Sequence, residues 1–339
     1  MAHPLFLLGA GFNRDAKKEA GKIIGHSIYK GDYEIGCGYP LLDELYKICF
    51  HDMKINSSIS IENLFAEAIK KRELDPLRLL YNTIMEADYF IINKLLSDQP
   101  GSNCYSNFFK DFQEASFLTF NYDSLPEIFL FKLNRWFPHD GFGVPVETEF
   151  TWSAYNKYTK QNSKSFILHL HGSLCVYTHD VEVSSSSNSN IAMIKLKEKP
   201  EFIFDPDSIT DLFHPYRRVF PKSGSYEPIE MRVIAPVPDK TEGLKNTFIK
   251  QIYSKAKELL NASEVLVVIG YNFSTNDKSS YHPLLDHVSE NWSGRIVIVS
   301  PNAKDIEKQL RSEYPSIKWF SVNATFKEWV DAGYIGIDK

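Results

Sequence analysis

Four apolar runs in this chain stop at glycine or at side chains that can do chemistry. Leu5 to Leu8 leads into Gly9-Ala10-Gly11-Phe12-Asn13, and Ser116 to Phe120 leads into Asn121-Tyr122-Asp123. Phe166 to Leu170 carries His169 and leads into His171-Gly172, and Val265 to Ile269 leads into Gly270-Tyr271-Asn272-Phe273. A glycine turn that opens a helix leaves backbone N–H groups free for a phosphate. This turn lacks the third glycine of the dinucleotide fingerprint and the lysine of a phosphate loop, so a plain strand–helix turn is the alternative. Asn121 and Asp123 also suit a helix N-cap and a carboxylate that compensates the helix dipole. His169 and His171 stand two apart on one strand face, a spacing that can bind metal. No cysteine or glutamate cluster lies near them in sequence, and a hydrogen-bonded core histidine is the blander alternative. Gly270 equally suits a simple strand end.

The elements that must position these residues alternate between strand and helix. Short continuous apolar runs suit strands buried on both faces. A helix follows the second run to about Leu133. Thr241 can cap a helix whose face carries Leu244, Phe248, Ile252 and Leu259. A helix near 282–290, a strand at Ile296 to Val299, a helix from Ala303 to Ser312, a strand at Lys318 to Val322 and a terminal helix complete the alternation. This order predicts an α/β fold with a doubly wound, mostly parallel sheet. Such sheets bind ligands beyond the carboxyl ends of their strands.

Several segments interrupt the alternation. Residues 12–40 are glycine-rich and predict a long loop. Residues 41–97 are largely helical, with Leu80, Ile84, Ala87, Ile91 and Leu95 on one face. The whole chain, 1–339, is expected to form one domain with a helical insertion over about 41–115 and an irregular insertion or lid over about 172–230. The latter holds short β-like pieces and a serine run, Ser184 to Ser187, that suits a surface loop. Trp136, Phe137 and Phe142 suit core or interface. Arg14 can reach a phosphate or form a surface ion pair, Arg217-Arg218 suit a solvated pair, and Asp277 and His282 can line a ligand or cap a helix.

Composition bounds the function classes. The 339 residues are 43% hydrophobic and 24% charged, which fits a globular chain, and the 14% aromatic content allows a large core. A net charge of −5 gives no direct indication of nucleic-acid binding. The four cysteines have no CxxC spacing, so neither a zinc module nor a disulfide framework is expected, and a reducing cytoplasmic setting fits. The N-terminal apolar run is short, has no basic flank and does not read as a signal peptide. No stretch reaches the ~20 apolar residues of a membrane span.

Taken in order, Gly9-Ala10-Gly11, Thr119-Phe120-Asn121-Tyr122-Asp123, Leu168-His169-Leu170-His171-Gly172-Ser173, Val268-Ile269-Gly270-Tyr271-Asn272-Phe273 and Val299-Ser300-Pro301-Asn302 resemble the sirtuin-like family. Within it they resemble the bacterial sirtuin-like NADase domains of antiphage defence. The resemblance runs from residue 5 to about 302. It implies a Rossmann-like domain that binds NAD with its pyrophosphate at Gly9, Ala10 and Gly11. It implies Asn121 at the nicotinamide ribose, His171 as the catalytic histidine, Asp123 in the nicotinamide pocket and Asn302 near the adenosine ribose. Asn13, Arg14, Gly270 and Asn272 are expected as further NAD-binding positions. Phe120 stands where sirtuin deacylases carry glutamine, Asn13 stands where the glycine turn usually continues to serine, and the deacylases' four-cysteine zinc module is missing. These differences point away from lysine deacylation.

The implied chemistry is NAD hydrolysis. Cleavage of the nicotinamide–ribose bond passes through an oxocarbenium-like state, as glycoside hydrolysis does. Nicotinamide leaves as a neutral molecule from a cation, so no strong general acid is needed. A base for water is needed, and the ordinary pKa of His171 would suit it. NAD is then a consumed substrate, with no cofactor and no zinc. A chain that consumes NAD needs gating, so a homo-oligomer or an activating partner protein is expected, with no separate sensor domain in the chain. The alternatives are a sensor that binds NAD or ADP-ribose without turnover, and transfer of ADP-ribose or an acyl group.

Overall fold

The computed structural model describes residues 4–20, 23–27, 31–35, 60–71, 103–137, 140–144, 146–149, 161–178, 192–196, 201–204 and 230–337, with scattered positions between 39 and 95. Its centre is a six-stranded sheet built from β1 (Leu5–Leu8), β4 (Ser116–Thr119), β6 (Ile167–His169), β11 (Val265–Ile269), β12 (Arg295–Ser300) and β13 (Lys318–Asn323). The spatial order is β13-β12-β11-β1-β4-β6, and every pairing is parallel. Counted by appearance and read from β6, this is the 3-2-1-4-5-6 order of a Rossmann-like fold, with its switch point between β1 and β11. β1 and β11 are buried along their whole length, which explains their unbroken apolar sequence.

Helices cover both sides of the sheet. α1 (Ala10–Ala20), α3 (Cys104–Asp111), α4 (Leu125–Lys132) and α9 (Phe326–Asp331) pack as one group. α6 (Thr247–Asn261) packs with α7 (Lys278–Asn291), and α8 (Ala303–Glu313) joins β12 to β13. The first group is held by aromatic rings: Phe108 lies edge-on to Phe6 at 5.0 Å and to Phe326 at 5.2 Å, and Phe6 stacks on Phe117 at 5.3 Å. Trp136, Phe137 and Phe142 are buried in the same core.

The 12–40 segment departs from the expected loop. It holds α1 and a hairpin of β2 (Ile23–Ser27) and β3 (Gly31–Ile35). The helix was hidden because its inward face mixes Phe12 and Ala16 with buried Asn13 and Asp15. Asp15 is tolerated there because its carboxylate accepts from the Lys327 backbone N–H at 2.8 Å, tying α1 to α9. Within 41–115 lie α2 (Ile61–Lys71) and α3. Leu80, Ile84, Ala87 and Leu95 of the expected face are buried, and Ile91 lies outside the described residues.

A second, antiparallel sheet forms mostly within the segment expected to hold short β-like pieces, with one strand, β5, contributed from ahead of it. It joins β5 (Val146–Glu149), β7 (Gly172–Thr178), β8 (Ala192–Leu196), β9 (Glu201–Phe204) and β10 (Glu230–Val233) in the order β10-β7-β9-β8-β5. Arg217, Arg218 and the serine run lie outside the described residues. After it, the expected helix from Thr241 is split into α5 (Thr241–Leu244) and α6. Asn246 restarts the chain as N-cap, its side chain accepting from the Phe248 N–H at 2.9 Å.

Candidate functional site

The glycine turn sits at the switch point because two backbones approach there too closely for side chains. The Gly11 N–H donates to the Gly270 carbonyl at 2.8 Å. A Cβ on Gly11 would lie 2.7 Å from the Gly270 Cα. Gly270 has φ +64°, and a Cβ on it would lie 2.2 Å from the Phe12 nitrogen. Both strand ends therefore require glycine for packing, whatever they bind. Ala10 remains exposed at the start of α1, where backbone N–H groups and the helix dipole favour an anion.

Asn121 is held at three points. Its N–H donates to Thr119 Oγ1 at 3.0 Å, and its side-chain Nδ2 donates to the Gly9 carbonyl at 3.1 Å. Its carbonyl accepts from His169 Nδ1 at 3.0 Å. Two motifs 112 residues apart in sequence thus meet in one hydrogen bond. Asn121 Oδ1 makes no hydrogen bond among the described residues and remains available to a ligand.

Beside it, Asp123 Oδ2 accepts from Asn13 Nδ2 at 2.5 Å and Asp123 Oδ1 accepts from the Leu125 N–H at 3.2 Å. Burial pushes the Asp123 carboxyl up to about 6; the Asn13 hydrogen bond opposes this and the nearby Glu127 charge reinforces it. The Asn13 Oδ1 is buried without a partner among the described residues.

His169 and His171 do not converge on a shared ligand. His169 ends β6 and turns to α4, where Nε2 pairs with Glu127 Oε1 in a very short contact. Burial works against its charged form, but the Glu127 charge and hydrogen bond and the Asn121 carbonyl outweigh it, so its pKa is raised. His171 lies beyond the strand and pairs with Ser280 Oγ on α7 at 2.8 Å, with the Phe120 ring 4.7 Å away. Burial pushes its pKa down to about 3, Asp277 opposing and Lys240 reinforcing the fall. The expectation of a near-neutral pKa is therefore corrected: a ring removed from water does not easily take a charge.

Phe120 also stacks on Tyr271 at 4.5 Å, so an apolar ring fills the space between the strand ends of β4 and β11. Lys240 is 4% exposed and pairs closely with Asp277, which ends the 3-10 turn Thr275–Asp277 immediately before α7. The second sheet is fastened to this region. The Ile234 N–H donates to the His171 carbonyl and the Tyr122 hydroxyl donates to the Ile234 carbonyl, each at 2.6 Å.

The structure brings together Gly9, Gly11, Asn13, Asn121, Asp123 and Gly270, with His171 one aromatic ring away. Arg14, Asn272 and Asn302 are exposed around this group and take no part in its hydrogen bonds; Asn302 precedes α8, and its carbonyl accepts from Asp305 and Ile306. His282 lies 3.5 Å from Glu313 rather than at the turn. Sequence reasoning missed Glu127, Lys240 and Ser280. A signal existed for Glu127: it is a lone acid within Leu-Pro-Glu-Ile-Phe-Leu-Phe, where a charge must be paired to be buried. Among the described residues, no group of three His, Cys, Asp or Glu side chains could hold a metal ion, and no helix is long and apolar enough to cross a membrane. Chemically, the arrangement combines an anion-favouring helix start, an oriented amide and a neutral imidazole. No protein-family model matches the chain, and no curated protein matches it.

Proposed function

We propose that the chain is an NAD hydrolase that releases nicotinamide and ADP-ribose. The observation that carries this is the hydrogen bond from Asn121 to the Gly9 carbonyl, which joins the sugar-orienting candidate to the phosphate-binding candidate at the switch point. The ordered resemblance to sirtuin-like sequences supplies the ligand, and the Rossmann-like strand order is the sheet on which such a ligand binds.

In this scheme the pyrophosphate lies against Gly9, Ala10 and Gly11, and Asn121 Oδ1 orients the ribose or the attacking water. The C1′–N bond breaks with its electron pair going to the nicotinamide nitrogen, which loses its positive charge. A water oxygen bonds C1′ and gives its proton to the neutral His171 imidazole, which passes it to solvent. The buried ring is a weak base, but water bonding to an oxocarbenium-like carbon loses its proton readily and a cationic leaving group asks little of the base. Asp123 organises the pocket. Antiphage defence by NAD depletion in the cytoplasm, gated by a homo-oligomer or an activating partner, follows from the same resemblance.

The burial of His171 and its low pKa favour a second possibility, an NAD or ADP-ribose sensor without turnover. Purified chain incubated with NAD, and assayed for free nicotinamide beside Asn121→Ala and His171→Ala, separates them. Hydrolysis predicts turnover that falls on the order of 10²–10⁴-fold in His171→Ala. Turnover surviving both substitutions rejects this site, and tight NAD binding without nicotinamide release identifies the sensor.

A further inference from the structure

We infer that His169 and Glu127 form a positioning pair that holds Asn121 in its working orientation. The inference rests on the NAD-cleavage role proposed for Asn121.

The geometry is specific. Asn121 to Ser124 form the connection between β4 and α4. His169 stands beside Thr119 across the parallel pairing of β4 and β6, and Glu127 lies in the first turn of α4. The pair therefore crosses that connection, linking strand to helix with side chains 2% and 0% exposed. From this position Nδ1 reaches the Asn121 carbonyl. A carbonyl only accepts, so Nδ1 carries a proton. Nε2 meets a carboxylate, so it too serves as a donor, and the ring holds both protons. The Thr119 hydroxyl fixes the same residue's N–H. With both backbone groups fixed, the side chain has few orientations left, and it reaches the Gly9 carbonyl.

The charged groups acting on the ring are Glu127 from α4 and Asp123 from the β4–α4 connection. Both act to favour the imidazolium. A buried ion pair is by itself weak evidence for a stabilising role. What the pair supplies is a directed donor, its ring held by contacts at both nitrogens. Glu127 Oε2 has no partner among the described residues, so the carboxylate's directed interaction is with His169.

The test uses the full chain labelled with ¹⁵N-histidine, with Glu127→Gln and His169→Gln beside it. The ring signals of His169 in the unaltered chain should show both nitrogens protonated from pH 6 to 8, and Glu127→Gln should convert the ring to the neutral form. Nicotinamide release from NAD should fall in kcat on the order of 10- to 100-fold in both variants, the scale expected when a supporting partner of a functional group is lost. KM should stay within about twofold if the loss lies in the transition state. Active unaltered chain with unchanged kcat in both variants overturns the inference and leaves the proposed function standing. A neutral His169 ring at pH 7 in the unaltered chain overturns it too, and decides the matter even if a variant fails to fold. Absence of NAD cleavage by the unaltered chain overturns the function and this inference together.

Discussion

The Asn121 side-chain amide donates to the Gly9 carbonyl at 3.1 Å, so the residue proposed to orient a sugar is fastened to the turn proposed to receive a phosphate. Displacing one displaces the other. Asn121→Asp replaces the donor by a carboxylate facing a carbonyl. Nicotinamide release should fall on the order of 10²–10³-fold, as when one preorganised transition-state contact is removed. Retained activity in Asn121→Asp would show that the amide is not needed.

The two glycines at the switch point should differ in tolerance from ordinary turn glycines. In Gly11→Ala the new methyl meets the Gly270 backbone at 2.7 Å, and in Gly270→Ala it meets the Phe12 nitrogen at 2.2 Å with φ already at +64°. Neither backbone can yield without moving β1 against β11. Urea unfolding should show each variant destabilised by ~1–3 kcal/mol or more, with Gly270→Ala the worse because strain adds to overlap. Alanine tolerated at both positions would mean that the strands are not so close.

Stability should fall as pH rises across the titration of Asp123. Its carboxyl is raised to about 6 in the folded chain, from 3.8 when unperturbed. Between those values the folded chain keeps a proton that the unfolded chain has lost. The cost is absent below 3.8, grows with pH, and is complete above 6, where two pH units correspond to ~3 kcal/mol. Asp123→Asn should flatten this slope, with the Asn13 amide turning over so that its Oδ1, unpartnered in the unaltered chain, accepts from the new N–H. Urea midpoints measured from pH 4 to 7.5 check this, and an unchanged slope in the variant would assign the effect elsewhere.

Tyr122 links the β4–α4 connection to the second sheet through the Ile234 carbonyl at 2.6 Å. Tyr122→Phe keeps the ring and removes the bond, a loss of about 1 kcal/mol. Hydrogen exchange should quicken at residues 230–234 and leave β11 and β12 unchanged. Protection unchanged at both places would mean that the Ile234 N–H bond to His171 holds the sheet alone.

Much of the framework was legible because its signals are local. Val265 to Ile269 announces a strand buried on both faces, and Gly270 announces the strand's end. α1 was not legible, since Asn13 and Asp15 face inward and break the apolar period that marks a helix. The α5–α6 break was missed because an Asn246 cap competes with the continuous face read from Thr241.

The candidate site divides in the same way. Sequence by itself determined the residue types at the strand ends and the strand–helix alternation, because these follow from short-range hydrophobicity and backbone preference. Only the tertiary structure decided which ends meet. It put Asn121 on Gly9, turned the two histidines of His169-Leu170-His171 toward different helices, and gave them opposite charge behaviour. His169 gains a carboxylate from α4 while His171 gains a hydroxyl from α7 and loses water. A side chain's charge depends on partners and solvent exclusion brought by distant segments, and those are set by the spatial order of the strands and the packing of the helices.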